Sequence, residues 1–221
     1  MPYNENLIQT ASMLLIITSI AAVEASNLRR AAIAYALQAL LICALILLFA
    51  AGNPNLYMWF VVALITKAIL TPWFILRYIN KTGEQEVKPI LGFGASVIVA
   101  SVLLYTFYRL THENVELLAP TPLAYEGVFR TNLAIALTVF VLGIYAILSR
   151  RDAIKTVIGL CLLENAIHLS LVSLAPTLKE TALIGIATEV VVTVYMLLYI
   201  IAGIKEKVGT TDTFELKELH W

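Results

Sequence analysis

Three ionisable residues lie deep inside apolar runs: Lys67 in VVALITKAILTPWF, Glu164 in VIGLCLLENAIHLSL and Glu189 in LIGIATEVVVTVYMLL. A charge near the centre of a membrane helix costs about 2.5 to 3.5 kcal/mol on insertion scales, so three such groups call for a purpose and for a setting other than lipid. Two carboxylates and an amine at a common depth can form a lateral row through a helix bundle. The chemistry that suits such a row is proton or charge relay. Burial penalises each charged form and an opposite charge nearby restores it, so the occupancy of one group controls that of the next. The plainer alternative is a buried Lys–Glu pair that only fixes helix packing. His168 follows Glu164 by four residues, on the same helical face. It can extend the relay or serve as a hydrogen-bonded structural histidine.

These residues need helices long enough to cross a membrane. The chain has 221 residues, of which 60% are hydrophobic and only 14% charged, against roughly 25% charged in a soluble domain. Its net charge is zero. No basic cluster points to nucleic acid, and the lipid bilayer is the one partner that composition names. About 20 apolar residues span the hydrocarbon core. Seven stretches come close to that length, at 7–23, 31–51, 56–79, 90–108, 131–149, 153–175 and 180–204. The fold class expected is therefore all-α, a polytopic membrane protein of seven transmembrane helices. The chain opens without a basic segment, so the first apolar run reads as a retained helix rather than a removable signal.

Breakers separate the runs at Gly52-Asn53-Pro54, at Asn80 to Lys88 before Pro89, and at Pro176. The longest connection, 111–130, holds Pro120 and Pro122. It divides a four-helix region (1–110) from a three-helix unit (131–204), and a tail (205–221) follows. Basic residues fall mostly on one side of the membrane: Arg29, Arg30, Arg77, Lys81, Lys88, Arg150, Arg151, Lys155, Lys205, Lys207 and Lys217, against Arg109, Arg130 and Lys179. Cytoplasmic loops retain Lys and Arg, which places the N-terminus outside and the C-terminus in the cytoplasm.

At the rise of a helix, Lys67, Glu164 and Glu189 each lie about 14 to 17 Å from the outer ends of their runs, near mid-membrane. Pro72 stands five residues after Lys67 and removes a backbone donor, which predicts a loosened or kinked helix beside the amine. Glu24 is expected at the membrane interface near Arg29 and Arg30, outside the row. Thr188 and Thr193 read as packing residues able to donate to backbone or carboxylate. Cys43 and Cys161 read as small buried hydrophobes. With His112 in a loop and His220 in the tail, no histidine pair suits a haem. No cofactor and no metal are expected on this chain.

The last three runs, with VIGLCLLENAIHLSL, ALIGIATEVVVTVYMLL and the tail TTDTFELKEL, resemble the small three-helix subunit NuoK of respiratory complex I. They also resemble its MrpC counterpart in multisubunit cation/proton antiporters. In those subunits each of the last two helices carries a mid-membrane glutamate on a lateral proton path. Glu189 in ATEVVV matches the second. At the first, where NuoK reads Ile-Gly-Leu-Glu, this chain reads Ile158-Gly159-Leu160-Cys161 and the acid comes at Glu164. That is a displacement of about 4.5 Å and some 60° of rotation.

Four further helices in front, LLENAIH, and Lys67 in KAILTPW make the whole chain resemble component E of hydrogenase 4, of group 4 membrane-bound hydrogenases and formate hydrogenlyases. The resemblance implies a non-catalytic subunit of the cytoplasmic membrane with redox sites on other chains. It implies antiporter-like and other membrane subunits as partners, and indirectly a hydrogenase or related redox arm. Lys67, Glu164, Glu189 and His168 are then candidates for proton or sodium translocation. A scaffold without ion relay and a subunit of a cation/proton antiporter are the alternatives.

Overall fold

A computed structural model describes residues 4–83, 90–119, 122, 127–174 and 180–213. The expectations for Lys88, Pro89, Pro120, Pro176, Lys179 and Lys217, and for the tail from 214 onward, lie outside the described residues. Helices α1 (Glu5–Glu24) and α2 (Leu28–Ala50) come first. The third span is α3 (Leu56–Ala63), a π-helical segment (Leu64–Leu70) and α4 (Thr71–Thr82) in one continuous run. Then follow α5 (Phe93–Glu113), the short α6 (Val115–Leu118), α7 (Gly127–Ser149), α8 (Ala153–Leu174) and α9 (Glu180–Val208). Seven of these runs are long and apolar enough to cross a membrane. Among the described residues there is no strand; an isolated bridge joins Asp152 and Asp212.

Short polar side chains start the helices. Asn4 accepts from the Leu7 amide at 3.2 Å and Asn27 from the Arg30 amide at 3.1 Å, which satisfies first-turn donors that a helix leaves open. Asp152 does the same for α8, accepting from Ile154 at 2.8 Å and Lys155 at 3.2 Å. Gly83 ends α4 at φ 70°, a left-handed turn that a side chain resists. Beyond α9, the chain returns to the α7–α8 turn. Thr213 donates its amide to Arg151 O at 2.7 Å, and the Thr211 hydroxyl donates to Asp152 Oδ2 at 2.7 Å.

Helices α7 and α8 form the centre. They approach so closely at Gly143 and Gly159 that a Cβ on Gly159 would lie 2.8 Å from Ile147 Cγ1 and 3.0 Å from Gly143 O. Small residues let membrane helices gain packing contact where no hydrophobic force drives them together. Gly159→Ala should therefore cost about 1 to 3 kcal/mol through overpacking. Gly203→Ala on α9, with nothing within 4 Å of its Cβ, should be neutral. Thermal inactivation of the detergent-solubilised assembly, compared between the two variants, checks this.

Around that pair stand α1, α2 and the α3–π–α4 run, while α5 and α9 remain open along much of their outer faces. The apolar interior divides into two large clusters and a small one of Val115, Ala119 and Leu133. One of the large clusters holds Ala22, Tyr35, Ala39, Cys161 and Leu162, and the other Ile42, Val139, Ala166 and Leu169. On α8 the division falls between Leu162 and Ala166, and on α2 between Ala39 and Ile42. Glu164 and Asn165 occupy that seam on α8, and Gln38 stands just before it on α2.

Candidate functional site

The π segment is where sequence and backbone first meet at the site. Thr71 donates its amide to Thr66 O, five residues back, and its hydroxyl reaches the same carbonyl at 2.9 Å. Next in the chain comes Pro72, which offers no amide. The expected loosening beside Lys67 thus takes the form of a π-helical stretch. Wide turns of this kind are frequent at functional sites.

Lys67, inside the π segment, is fully buried. Its Nζ lies 2.8 Å from Glu164 Oε1 and donates to Asn165 Oδ1 at 2.9 Å. It also contacts His168 Nδ1, which stands 3.2 Å from Glu164 Oε1. Asn165 Nδ2 in turn donates to Gln38 Oε1 on α2 at 2.6 Å. This amide chain fixes the orientation of the lysine. Trp59 meets the His168 ring edge-on, with centroids 5.3 Å apart, closing the site toward the α3 end.

Structure thus joins Lys67, Glu164 and His168 in one contact cluster between α3–π–α4 and α8. Glu164 retains 9% exposure, whereas Asn165, His168 and Gln38 have none. The Lys67–Glu164 contact lacks the angles of a directed hydrogen bond, and Glu164 Oε2 and His168 Nε2 have no hydrogen-bond partner among the described residues. Each of the two candidate bases therefore keeps a second atom through which a proton can enter or leave. Three proton-holding groups in mutual contact, out of water, can exchange one proton with little atomic movement.

Glu189 is not part of this cluster. It lies on the open face of α9 with its side chain exposed, although within electrostatic reach of Glu164. The facing of the three mid-membrane charges, which sequence leaves open, thus separates Glu189 from Lys67 and Glu164. Helix α9 crosses the bundle edge, and only part of its circumference meets other helices. Thr188, one residue earlier, donates to Ile184 O at 2.9 Å, within its own helix.

Charges at helix ends are more enclosed than sequence indicates. Glu24, at the end of α1 and outside the mid-membrane cluster, is buried and pairs with Arg150 at 2.7 Å. Arg150 and Lys155, counted from sequence among the basic residues of the cytoplasmic side, are buried too. Sequence reasoning also passed over Gln38; the signal was present as a lone amide in the apolar run YALQALLICAL. Cys43 and Cys161 are buried free thiols, as expected. Among the described residues no group of three His, Cys, Asp or Glu is placed to hold a metal ion.

Residues 131–221 match the family described as NADH-ubiquinone/plastoquinone oxidoreductase chain 4L. Across 96% of its length the chain is 29% identical to hydrogenase-4 component E of Escherichia coli strain K12, of which 97% is covered. The same figures hold for the proteins of that name from E. coli O157:H7 and Shigella flexneri. No solved structure matches the chain. Both similarities agree with the resemblance carried by the residues around Glu164 and Glu189. With seven spans, the chain is a multi-pass protein of the inner membrane.

Proposed function

We propose that this chain is a non-catalytic membrane subunit of a complex I-related, hydrogenase-4-like redox complex, and that its mid-membrane charges take part in proton or sodium translocation. The observation that carries the reading is the buried contact of Lys67, Glu164 and His168 at the seam between two apolar clusters. Similarity to hydrogenase-4 component E over nearly the whole chain supplies the setting. In that setting the redox centres lie on other subunits, and what this chain contributes is a place where a charge is held inside the membrane.

Glu189 fits the same reading from its place on the outer face of α9. A carboxylate exposed at mid-membrane is costly against lipid. A neighbouring antiporter-like subunit covering α9 removes that cost and continues the path laterally. The reading also keeps the N-terminus outside and the C-terminus cytoplasmic, and keeps 1–110 and 131–204 as the N-terminal region and the NuoK-like unit. A second reading, scaffold without relay, is favoured by the Gln38–Asn165–Lys67 chain, which ties α2, α8 and the π segment together.

Association is the first thing to test. An affinity-tagged chain, extracted in mild detergent, should co-purify with larger antiporter-like membrane subunits and with hydrogenase or formate-linked redox activity. Recovery with antiporter subunits alone, or as an isolated chain, would overturn the hydrogenase-4-like setting.

A further inference from the structure

At the end of the bundle that carries the α1–α2 turn, a second set of charges is buried apart from the mid-membrane cluster. Glu24 closes α1 at 5% exposure. Its Oε2 accepts from Arg150 at 2.7 Å and its Oε1 from the Ser96 hydroxyl at 2.9 Å. Ser96 Oγ also meets Tyr145 Oη at 2.8 Å and Arg150 at 3.0 Å. Lys155 donates to Ala22 O at 2.7 Å and Val23 O at 3.1 Å, the last-turn carbonyls of the helix that Glu24 ends. The groups facing Glu24 are thus Ser96 of α5, Tyr145 of α7, Arg150 of the α7–α8 turn and Lys155 of α8, with Asp152 beside them at the start of α8.

Anchoring α1 accounts for Arg150 and Lys155, since cations favour the carbonyl end of a helix. It does not account for the position of the carboxylate. Glu24 also lines a pocket of about 550 Å³, together with Ala21, Asn27, Arg30, Ala34 and Phe93. One wall of an internal ion pair is therefore a cavity from which water can reach it. Two Arg150 nitrogens, Nε and one Nη, have no hydrogen-bond partner among the described residues, so the guanidinium is not saturated by Glu24.

Helix α8 measures the separation from the central cluster. From Lys155 to Glu164 the rise is about 13.5 Å. Within that interval stand the buried Ser19 hydroxyl, without a hydrogen-bond partner among the described residues, and the Tyr35 hydroxyl beside the Cys161 thiol. Cys161 is one helical turn from Glu164.

We infer that Glu24, tied to Arg150 and Ser96 and open to the α1–α2 pocket, is a second proton-holding site that feeds the Lys67–Glu164 pair from this end of the bundle. The inference rests on the relay reading of that pair. A proton from pocket water bonds to the Glu24 carboxylate, and the ion pair with Arg150 becomes a neutral-acceptor hydrogen bond. Release of that proton inward restores the ion pair. Only O–H bonds form and break at Glu24, and no electron moves.

The test uses the assembled complex in proteoliposomes, comparing wild type, Glu24→Gln, Glu24→Asp and Glu164→Gln for ions moved per electron. Wild-type complex is also treated with dicyclohexylcarbodiimide, which modifies protonated carboxyls, and the adducts are located by peptide mass. Glu24→Gln should lower pumping at least tenfold with electron transfer intact once the gradient is dissipated, Glu24→Asp should recover part of it, and Glu24 should carry the adduct in wild-type complex. Pumping at the wild-type level in Glu24→Gln, or no adduct at Glu24 at any pH, overturns the inference. Loss in Glu164→Gln alone defeats only the entry site, whereas retention in both defeats the relay reading beneath it. If Glu24→Gln does not assemble, pumping by Glu24→Asp and the wild-type adduct decide: intermediate pumping with an adduct at Glu24 upholds the site, and absence of the adduct overturns it.

Discussion

Lys67→Met should sharply lower the amount of assembled complex, and adding Glu164→Leu to it should recover part of that loss. The single change removes the amine at 2.8 Å from Glu164 Oε1 and leaves a largely buried carboxylate without its counter-charge. Breaking a buried pair from one side costs about 3 to 5 kcal/mol. The double change removes the carboxylate as well. Replacing both partners by apolar groups is often close to neutral, but here Asn165 Oδ1 and His168 Nδ1 also lose the lysine, at about 1 to 3 kcal/mol for each acceptor left unpaired. Quantifying the complex by native gel and in-gel activity separates the three forms. A double variant no more abundant than Lys67→Met would show that the uncompensated carboxylate is not what destabilises the single one.

Glu164→Gln should abolish coupling in a complex that still assembles, with a smaller loss of amount than Lys67→Met. The buried amine loses its counter-charge, but a polar oxygen still faces it and the side chain keeps its volume, so the contact that joins the π segment to α8 is weakened rather than removed. What the variant lacks is a group that can take up and release a proton. General acid–base groups contribute about 10²- to 10⁴-fold to the steps they serve, so the expected fall in pumping is on the order of a hundredfold or more. A pure scaffold predicts that assembly and coupling both persist, since it needs the contact and not the proton. Sedimentation or native mass measured alongside vesicle pumping distinguishes a transport defect from an assembly defect.

The seven spans were legible because each is a run of apolar residues as long as the membrane is thick, and length needs no knowledge of neighbours. Lys67, Glu164 and His168 were legible as misplaced polar groups for the same reason. Their meeting was not. It depends on the rotation of α8 against the third span, which the near-uniform hydropathy of both helices does not encode. Glu189 shows the limit from the other side: its depth was readable, but not its place on the open face of α9.

Charges at helix ends were the hardest to place. Glu24, Arg150 and Lys155 sit where loops and interfaces also carry charge, so their burial follows only from how α5 and the α7–α8 turn close over α1. Two of the basic residues in the orientation count are thus interior groups. Pro72 announced a disturbed helix, yet sequence could not say that a π segment rather than a kink would absorb it.

The central claim is that the Lys67–Glu164–His168 cluster carries coupling and not merely cohesion. Its most direct test is the number of ions moved per electron by purified wild-type and Glu164→Gln complexes in proteoliposomes, with H⁺ and Na⁺ followed together and assembly verified on the same sample. The account predicts that the ratio collapses in Glu164→Gln while electron transfer persists once the gradient is dissipated. An unchanged ratio in an intact complex would contradict it and leave the cluster as a structural tie.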